Sequence, residues 1–236
     1  MAIATKELAR LLDVSLLKTE NTATEIQSLI EASKKYNFVC AFVLPAYLPE
    51  IISGLKGTDT DIGGTIGFPT GAELSQVKAF QAKTCYDLGC DEFDMVMNVG
   101  FLKSKRFDLV AKDIQAVKDQ INGKSMKVIV ESSLLTEKEL RDATKIVIDA
   151  GADYVKTGSG WAPKPTLLSH VEIMANVNQG RIKMKAAGGI RDLEILEAMY
   201  NLGVTRFGVG LLTGVEMMEA SMKGQTAMGK SSNDNY

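Results

Sequence analysis

The sequence predicts an α/β fold, a single (β/α)8 TIM barrel, on three observations. Short β-branched or apolar runs alternate with longer helical patterns from end to end. Eight such runs fit within 236 residues, a length that α/β barrels commonly reach undivided. No linker-like stretch interrupts the chain before its last dozen or so residues. Strict alternation implies right-handed βαβ units and a parallel sheet, and eight strands in this length favour a closed barrel. An open doubly wound sheet is the alternative architecture.

The elements follow in order. The start, MAIATKELARLLDV, reads as an amphipathic N-terminal helix leading into a strand at 12–15. Further strands are expected at 38–44, 61–68, 92–98, 126–131, 154–158, 183–187 and 206–209. Between them lie the helical patterns AELSQVKAFQAKTCYDLG, RFDLVAKDIQAVKDQI, TEKELRDATKIVIDAG and DLEILEAMYNLG. Three of these end in glycine (Gly89, Gly151, Gly203), which suits a left-handed C-terminal cap. One domain spanning 1–236 is expected, with about 224–236 (GQTAMGKSSNDNY) as a flexible polar tail.

Composition narrows the function classes. Hydrophobic residues make up 45% and charged residues 24%, enough apolar material for a large core. The net charge of −2 comes from interspersed signs, and no basic stripe marks a nucleic-acid partner. No uncharged run of about 18 apolar residues is present, so no membrane span is expected. Cys40, Cys85 and Cys90 form neither a metal-ligand nor a CxxC pattern. Buried reduced thiols in a cytoplasmic protein are the simplest reading. The single histidine, His170, rules out a His-based zinc site or a conventional Ser-His-Asp unit unless it serves itself, and its setting suggests a surface or helix-capping role. Acid–base chemistry then falls mainly to carboxylates, lysines, tyrosines or water. Barrels commonly dimerise through outer helices, so a homodimer is one expectation. The Met-rich VEMMEASM reads as interface or, more often, core.

A barrel builds its site at the C-terminal ends of its strands. Lys156 in GADYVKTGSG and Lys185 in IKMKAAGG fall on the sixth and seventh strands, each just before a glycine-rich turn. Neighbouring strands run about 4.8 Å apart, so two inward lysines can approach closely. Mutual repulsion and partial burial both lower a lysine pKa, and a neutral amine can form an iminium with a carbonyl. The alternative is that one lysine pairs with a carboxylate and only braces the barrel. In DEFDMVMN, period two places Glu92, Asp94 and Asn98 on one face, Glu92 farthest from the rim. Asp94 can orient the lysines and pass protons through water. Asp13 is read at the end of the first strand, either as an inward group or as a helix N-cap or partner of Lys18. Lys127 and Glu131 share a face and are expected to pair structurally. The turns AAGGIRD (Gly188, Gly189, Arg191) and RFGVGLLTG (Gly208, Gly210) allow backbone N–H groups to approach an anion.

The blocks LDVSLLK, GFPTGA, DEFDMVMNVG, MKVIVESSLLTEKEL, GADYVKTGSG and KAAGGIRDLE, in this order, resemble the deoxyribose-phosphate aldolase family over roughly 11–212. The resemblance implies a class I aldolase, an aldehyde-lyase that joins acetaldehyde and glyceraldehyde 3-phosphate into 2-deoxyribose 5-phosphate, reversibly. It implies no metal and no organic cofactor, a small aldehyde or sugar phosphate as partner, and a role in carbohydrate breakdown. It assigns the Schiff base to Lys156, the lowering of that lysine's pKa to Lys185, proton transfer to Asp94 and substrate hydroxyl contact to Asp13. Some members end in a tyrosine that reaches the site, which makes Tyr236 a secondary candidate.

The departures concern the substrate. Where the family pattern resembles K-T-S-T-G, this chain has Lys156-Thr157-Gly158-Ser159-Gly160-Trp161, so Gly160 and Trp161 stand at the acceptor rim. The phosphate-loop serines are replaced by Gly208-Val209-Gly210-Leu211. Phe42, Leu44 and Thr70 stand where the family has a cysteine, an asparagine or tyrosine, and a histidine. A sibling Schiff-base lyase acting on an unphosphorylated hydroxy-aldehyde or ketose, and a non-catalytic sugar-phosphate-binding barrel, are the other readings.

Overall fold

The computed structural model describes residues 3–224. Its eight strands are β1 (Leu12–Leu16), β2 (Cys40–Val43), β3 (Asp61–Ile66), β4 (Glu92–Val96), β5 (Ser125–Ile129), β6 (Tyr154–Lys156), β7 (Lys183–Ala187) and β8 (Val204–Gly210). They pair in parallel in chain order, and β8 closes onto β1. The closed barrel expected from the alternation is therefore the architecture formed, in preference to the open sheet. The helices are α1 (Thr5–Ala9), α2 (Ala23–Tyr36), α3 (Leu48–Gly54), α4 (Ser75–Leu88), α5 (Val99–Lys103), α6 (Phe107–Lys118), α7 (Glu137–Asp149), α8 (Leu168–Asn178), α9 (Leu193–Asn201) and α10 (Leu211–Met222). None is long and apolar enough to cross a membrane.

Local chemistry sets the boundaries. Thr22 and Thr136 open α2 and α7 with capping boxes, each hydroxyl accepting the N–H of a glutamate that reaches back. Gly89, Gly151 and Gly203 all have positive φ (107°, 79° and 91°), so the expected left-handed stops are present. Strands β3 to β6 each end two residues earlier than the apolar runs suggest. The diverted residues bond elsewhere: the Gly67 N–H donates to Gln81, Asn98 caps α5, Glu131 turns left-handed, and Thr157 bridges to Ala187. The part of the expected tail that begins at 225, Tyr236 included, lies outside the described residues.

Outward-facing Val14, Phe93, Met95, Val128, Val155 and Phe207 join the main apolar cluster between barrel and helices. Each such side chain contributes about 1.5–3 kcal/mol on burial. Met217 and Met218 belong to this cluster and are core, whereas Met222 at the end of the Met-rich stretch is exposed. Cys40, Cys85 and Cys90 are free and buried. One ion pair is sealed between helices. Lys78 on α4 reaches Asp113 on α6 at 2.6 Å and donates to the Val96 carbonyl at 3.0 Å, with its side chain fully buried.

Asp113→Ala therefore strands a buried ammonium and is expected to cost about 3–5 kcal/mol. In a chain of this size that lowers Tm by roughly 10 °C. Lys78→Met combined with Asp113→Leu is expected to recover most of the loss in thermal unfolding. A single variant as stable as the parent would show that the pair carries no such weight.

Candidate active site

Strand register brings the charged residues together. Lys156 sits opposite Lys185, Lys185 opposite Arg206, and Asp94 opposite Lys127. Period two turns all of them into the barrel, with Asp13 and Glu92. Lys156 Nζ and Lys185 Nζ each lie 2.7 Å from the same oxygen, Asp94 Oδ2. Lys185 is also 2.6 Å from Asp13 Oδ2, and Arg206 bridges Asp13 (2.6 Å) and Glu92 (2.7 Å). Lys127 lies below, 2.6 Å from Glu92 and 3.3 Å from Asp94.

Four cations thus face three carboxylates, and they are compensated unequally. Lys127, Lys185 and Arg206 each approach two or more carboxylates, whereas Lys156 approaches only Asp94. Burial is the main force lowering the Lys156 pKa and the Lys185 charge adds to it. Asp94 opposes both, and the balance brings Lys156 down to about 8. Burial works against the Asp94 carboxylate, but Lys156, Lys185 and Lys127 outweigh it and hold Asp94 well below the usual carboxylate range. The Asp13 carboxyl is lowered in the same way, its burial outweighed mainly by Lys185. Burial would also discharge Lys127, yet Asp94, Asp13 and Glu92 push its pKa up. Lys127 therefore stays charged, while the Lys156 pKa is brought down to about 8. Both of the lysines singled out from sequence contact a carboxylate, and Lys127 lies within ion-pair distance of three.

Three expectations change here. Lys127 pairs with Glu92 and Asp94, and Glu131 lies beyond the strand end and bonds to Ser159, so the two do not pair. Asp13 is the second residue of β1 instead of its last, and it meets Lys185 and Arg206 where an N-cap or a Lys18 pair was the alternative. Arg206 and Ser15 were passed over. Period two gives the signal for both, since Arg206 shares a face with Gly208 and Gly210, and Ser15 with Asp13.

Above the charges opens a cavity, with Asp94, Lys156 and Lys185 at its base. Gly160, Gly188, Gly189, Arg191, Gly208 and Gly210 line its wall, beside Asp13. Gly208 is required there: an added Cβ would lie 2.8 Å from the Ala187 Cβ and 3.3 Å from the Lys185 Cε. Leu17 and Phe42 supply apolar surface, and Ser15 and Thr213 bring hydroxyls, whereas the Ser159 hydroxyl is bonded to Glu131 and the Val209 side chain points outward into the main apolar cluster. Phe42 places its ring 4.3 Å from Lys185 Nζ, in a space that Gly63 leaves open; a Cβ on Gly63 would fall 2.2 Å from the ring. Trp161 stands at the rim, half-exposed, its Nε1–H donating to the Leu17 carbonyl at 3.2 Å. His170 takes a capping position, its Nδ1 accepting the Leu167 N–H at 3.2 Å. Asp13, Cys40 and Glu92 converge like metal ligands, but Lys185, Lys127 and Arg206 already occupy the carboxylates. Burial also pushes the Cys40 thiol up, so the donor set suits the protein's own cations.

A family model described as DeoC/LacD family aldolase matches residues 10–218. Deoxyribose-phosphate aldolase of Geobacillus sp. strain WCH70 is 40% identical over 230 residues, which cover 97% of this chain and 98% of the relative. The same enzyme of Coprothermobacter proteolyticus is 41% identical over 213 residues, 90% of this chain and 96% of the relative. The tetrameric deoxyribose phosphate aldolase structure from Aeropyrum pernix superposes with a TM-score of 0.84 at 26% identity, covering 92% of each chain.

The lowered pKa has a kinetic consequence. Below about 8 Lys156 is mostly protonated and cannot add to a carbonyl. The rate of borohydride-trapped adduct formation with acetaldehyde is therefore expected to rise with pH and level off above a midpoint near 8. Lys185→Leu removes a repelling charge and leaves Asp94, so its midpoint is expected to move up. A parent midpoint near the ordinary lysine value would contradict this account of the charges.

Proposed function

The chain belongs to the DeoC/LacD aldolase family, and from that premise we propose that it cleaves 2-deoxyribose 5-phosphate reversibly to acetaldehyde and glyceraldehyde 3-phosphate. The observation that carries the proposal is Lys156, held near neutrality beside Asp94 and Lys185. Neutral Lys156 Nζ attacks the sugar aldehyde, and loss of water gives an iminium. The C3 hydroxyl loses its proton and the C2–C3 bond breaks. Its electron pair moves into the iminium, forming an enamine and releasing glyceraldehyde 3-phosphate. Protonation at C2 and hydrolysis then free acetaldehyde and restore the amine. Asp94 and an intervening water carry the protons, while Lys185 keeps the Lys156 pKa low. Asp13, firmly ionised, orients Lys185 and accepts from substrate hydroxyls.

The phosphate falls to the backbone N–H groups of Gly189, Gly208 and Gly210, with Arg191 beside them. Thr213, in the first turn of α10, and Ser15 bring hydroxyls to the same cavity. The backbone N–H groups and Arg191 support a phosphorylated substrate although the serines typical of this loop are absent. The apolar surface of Leu17 and Phe42 supports a second reading, an aldolase for an unphosphorylated hydroxy-aldehyde. The three unpaired buried cysteines favour a cytoplasmic setting for either.

Acetaldehyde release from 2-deoxyribose 5-phosphate, measured beside unphosphorylated deoxyribose, separates the two. Strong preference for the phosphate is expected, and negligible cleavage of both by folded protein would reject the assignment. Lys156→Leu is expected to lose turnover by roughly a thousandfold or more, together with borohydride trapping. Lys185→Leu is expected to impair turnover severely while preserving the far-UV circular dichroism. Activity like the parent's in the Lys156 variant would sink the mechanism.

A further inference from the structure

Glu131 is buried and turned into the left-handed region (φ 53°, ψ 57°), a conformation uncommon outside glycine. Among the described residues it makes no ion pair. Its carboxylate is satisfied by one neighbour instead. Oε1 accepts the Ser159 N–H at 3.1 Å, and Oε2 takes the Ser159 hydroxyl in a short hydrogen bond. Ser159 Oγ in turn accepts the Trp161 N–H at 3.0 Å. The Trp161 ring then crosses the rim, bonding to the Leu17 carbonyl and meeting Phe68 edge-on at 6.4 Å. Gly158 is packed against the same carboxylate, since a Cβ there would lie 3.0 Å from Oε1. A buried carboxylate without a cation is costly unless fully hydrogen-bonded, so this chain of bonds ties the segment 157–161 firmly to the end of β5.

We propose that Glu131 is a positioning residue for the acceptor half of the pocket. Through Ser159 it fixes the segment that follows Lys156, so that the Gly160 backbone and the Trp161 ring face the aldehyde leaving or entering opposite the imine. The charge cluster that activates Lys156 contains no contact to Glu131, so the two functions separate. The proposal rests on the Schiff-base reading of Lys156.

The test uses Glu131→Gln, which keeps the shape but cannot accept at both atoms, and Ser159→Ala, which removes only the hydroxyl link. Three readouts are compared: borohydride trapping of acetaldehyde at Lys156, the KM and kcat for 2-deoxyribose 5-phosphate, and acrylamide quenching of fluorescence from Trp161, the sole tryptophan. Trapping is expected to stay within about twofold of the parent, because imine formation does not need the acceptor wall. KM is expected to rise about tenfold with a smaller change in kcat, as loss of one charge-assisted hydrogen bond implies. Quenching of Trp161 is expected to increase. Unchanged KM and quenching in both variants would overturn the proposal, and so would trapping that falls in step with turnover. The trapping and quenching arms need no sugar phosphate, so failure of the substrate assignment would leave them readable. Should Glu131→Gln fold poorly, Ser159→Ala carries the same comparison.

Discussion

An excess of positive charge in the barrel interior governs this site. Lys127, Lys156, Lys185 and Arg206 project into a space where, among the described residues, Asp13, Glu92 and Asp94 are the counter-charges. Each buried ion is expensive unless paired. Arg206 keeps its charge in almost any setting, and Lys127 is surrounded by carboxylates. The imbalance is relieved at Lys156, which has one carboxylate and shares it. Burial is the larger force lowering the Lys156 pKa and the Lys185 charge adds to it, so an amine with a pKa of about 8 comes from its buried place in the cluster and from no single neighbour.

Much of the surrounding structure accommodates this cluster. Arg206 and Lys127 tie Glu92 and Asp13 into a charged floor, which fixes the height of Asp94 and Lys185. Gly208 gives Lys185 room to extend, and Gly63 gives Phe42 room to cover it. Phe42 keeps bulk water from the Lys185 ammonium while its ring face attracts the charge. The main apolar cluster lies outside the barrel wall, so the strands are held in register by packing that never touches the reacting groups. Separation of the stabilising layer from the chemical layer leaves the inward positions free to be polar.

The upper wall of the cavity is built on different physics. It consists of backbone turns at Gly188, Gly189 and Gly210, apolar side chains and scattered hydroxyls, with Glu131 and Ser159 pinning one edge. Hydroxyls at Ser15 and Thr213 come from β1 and α10, away from the loop positions where serines are absent. Substrate choice can therefore change along these loops while the lysine cluster stays intact. That is why chemistry and specificity are legible to different degrees in one chain.

The alternation of strand and helix patterns determined the closed barrel, because each period declares which face must be buried. Period two likewise determined that Asp94, Lys156 and Lys185 point inward near the rim, and capping chemistry determined where Gly89, Gly151 and Gly203 stop their helices. Pairing across strands was another matter. Lys127 and Glu131 share a face in sequence, yet the chain turns left-handed at Glu131 and aims it at Ser159, while Lys127 finds Glu92 on the next strand. Asp13 and Arg206 meet only because β8 closes onto β1, 193 residues apart along the chain. Side-chain direction is a local property and can be read from spacing. Which opposite charge a buried group meets depends on register between distant strands, and only the folded barrel decides that.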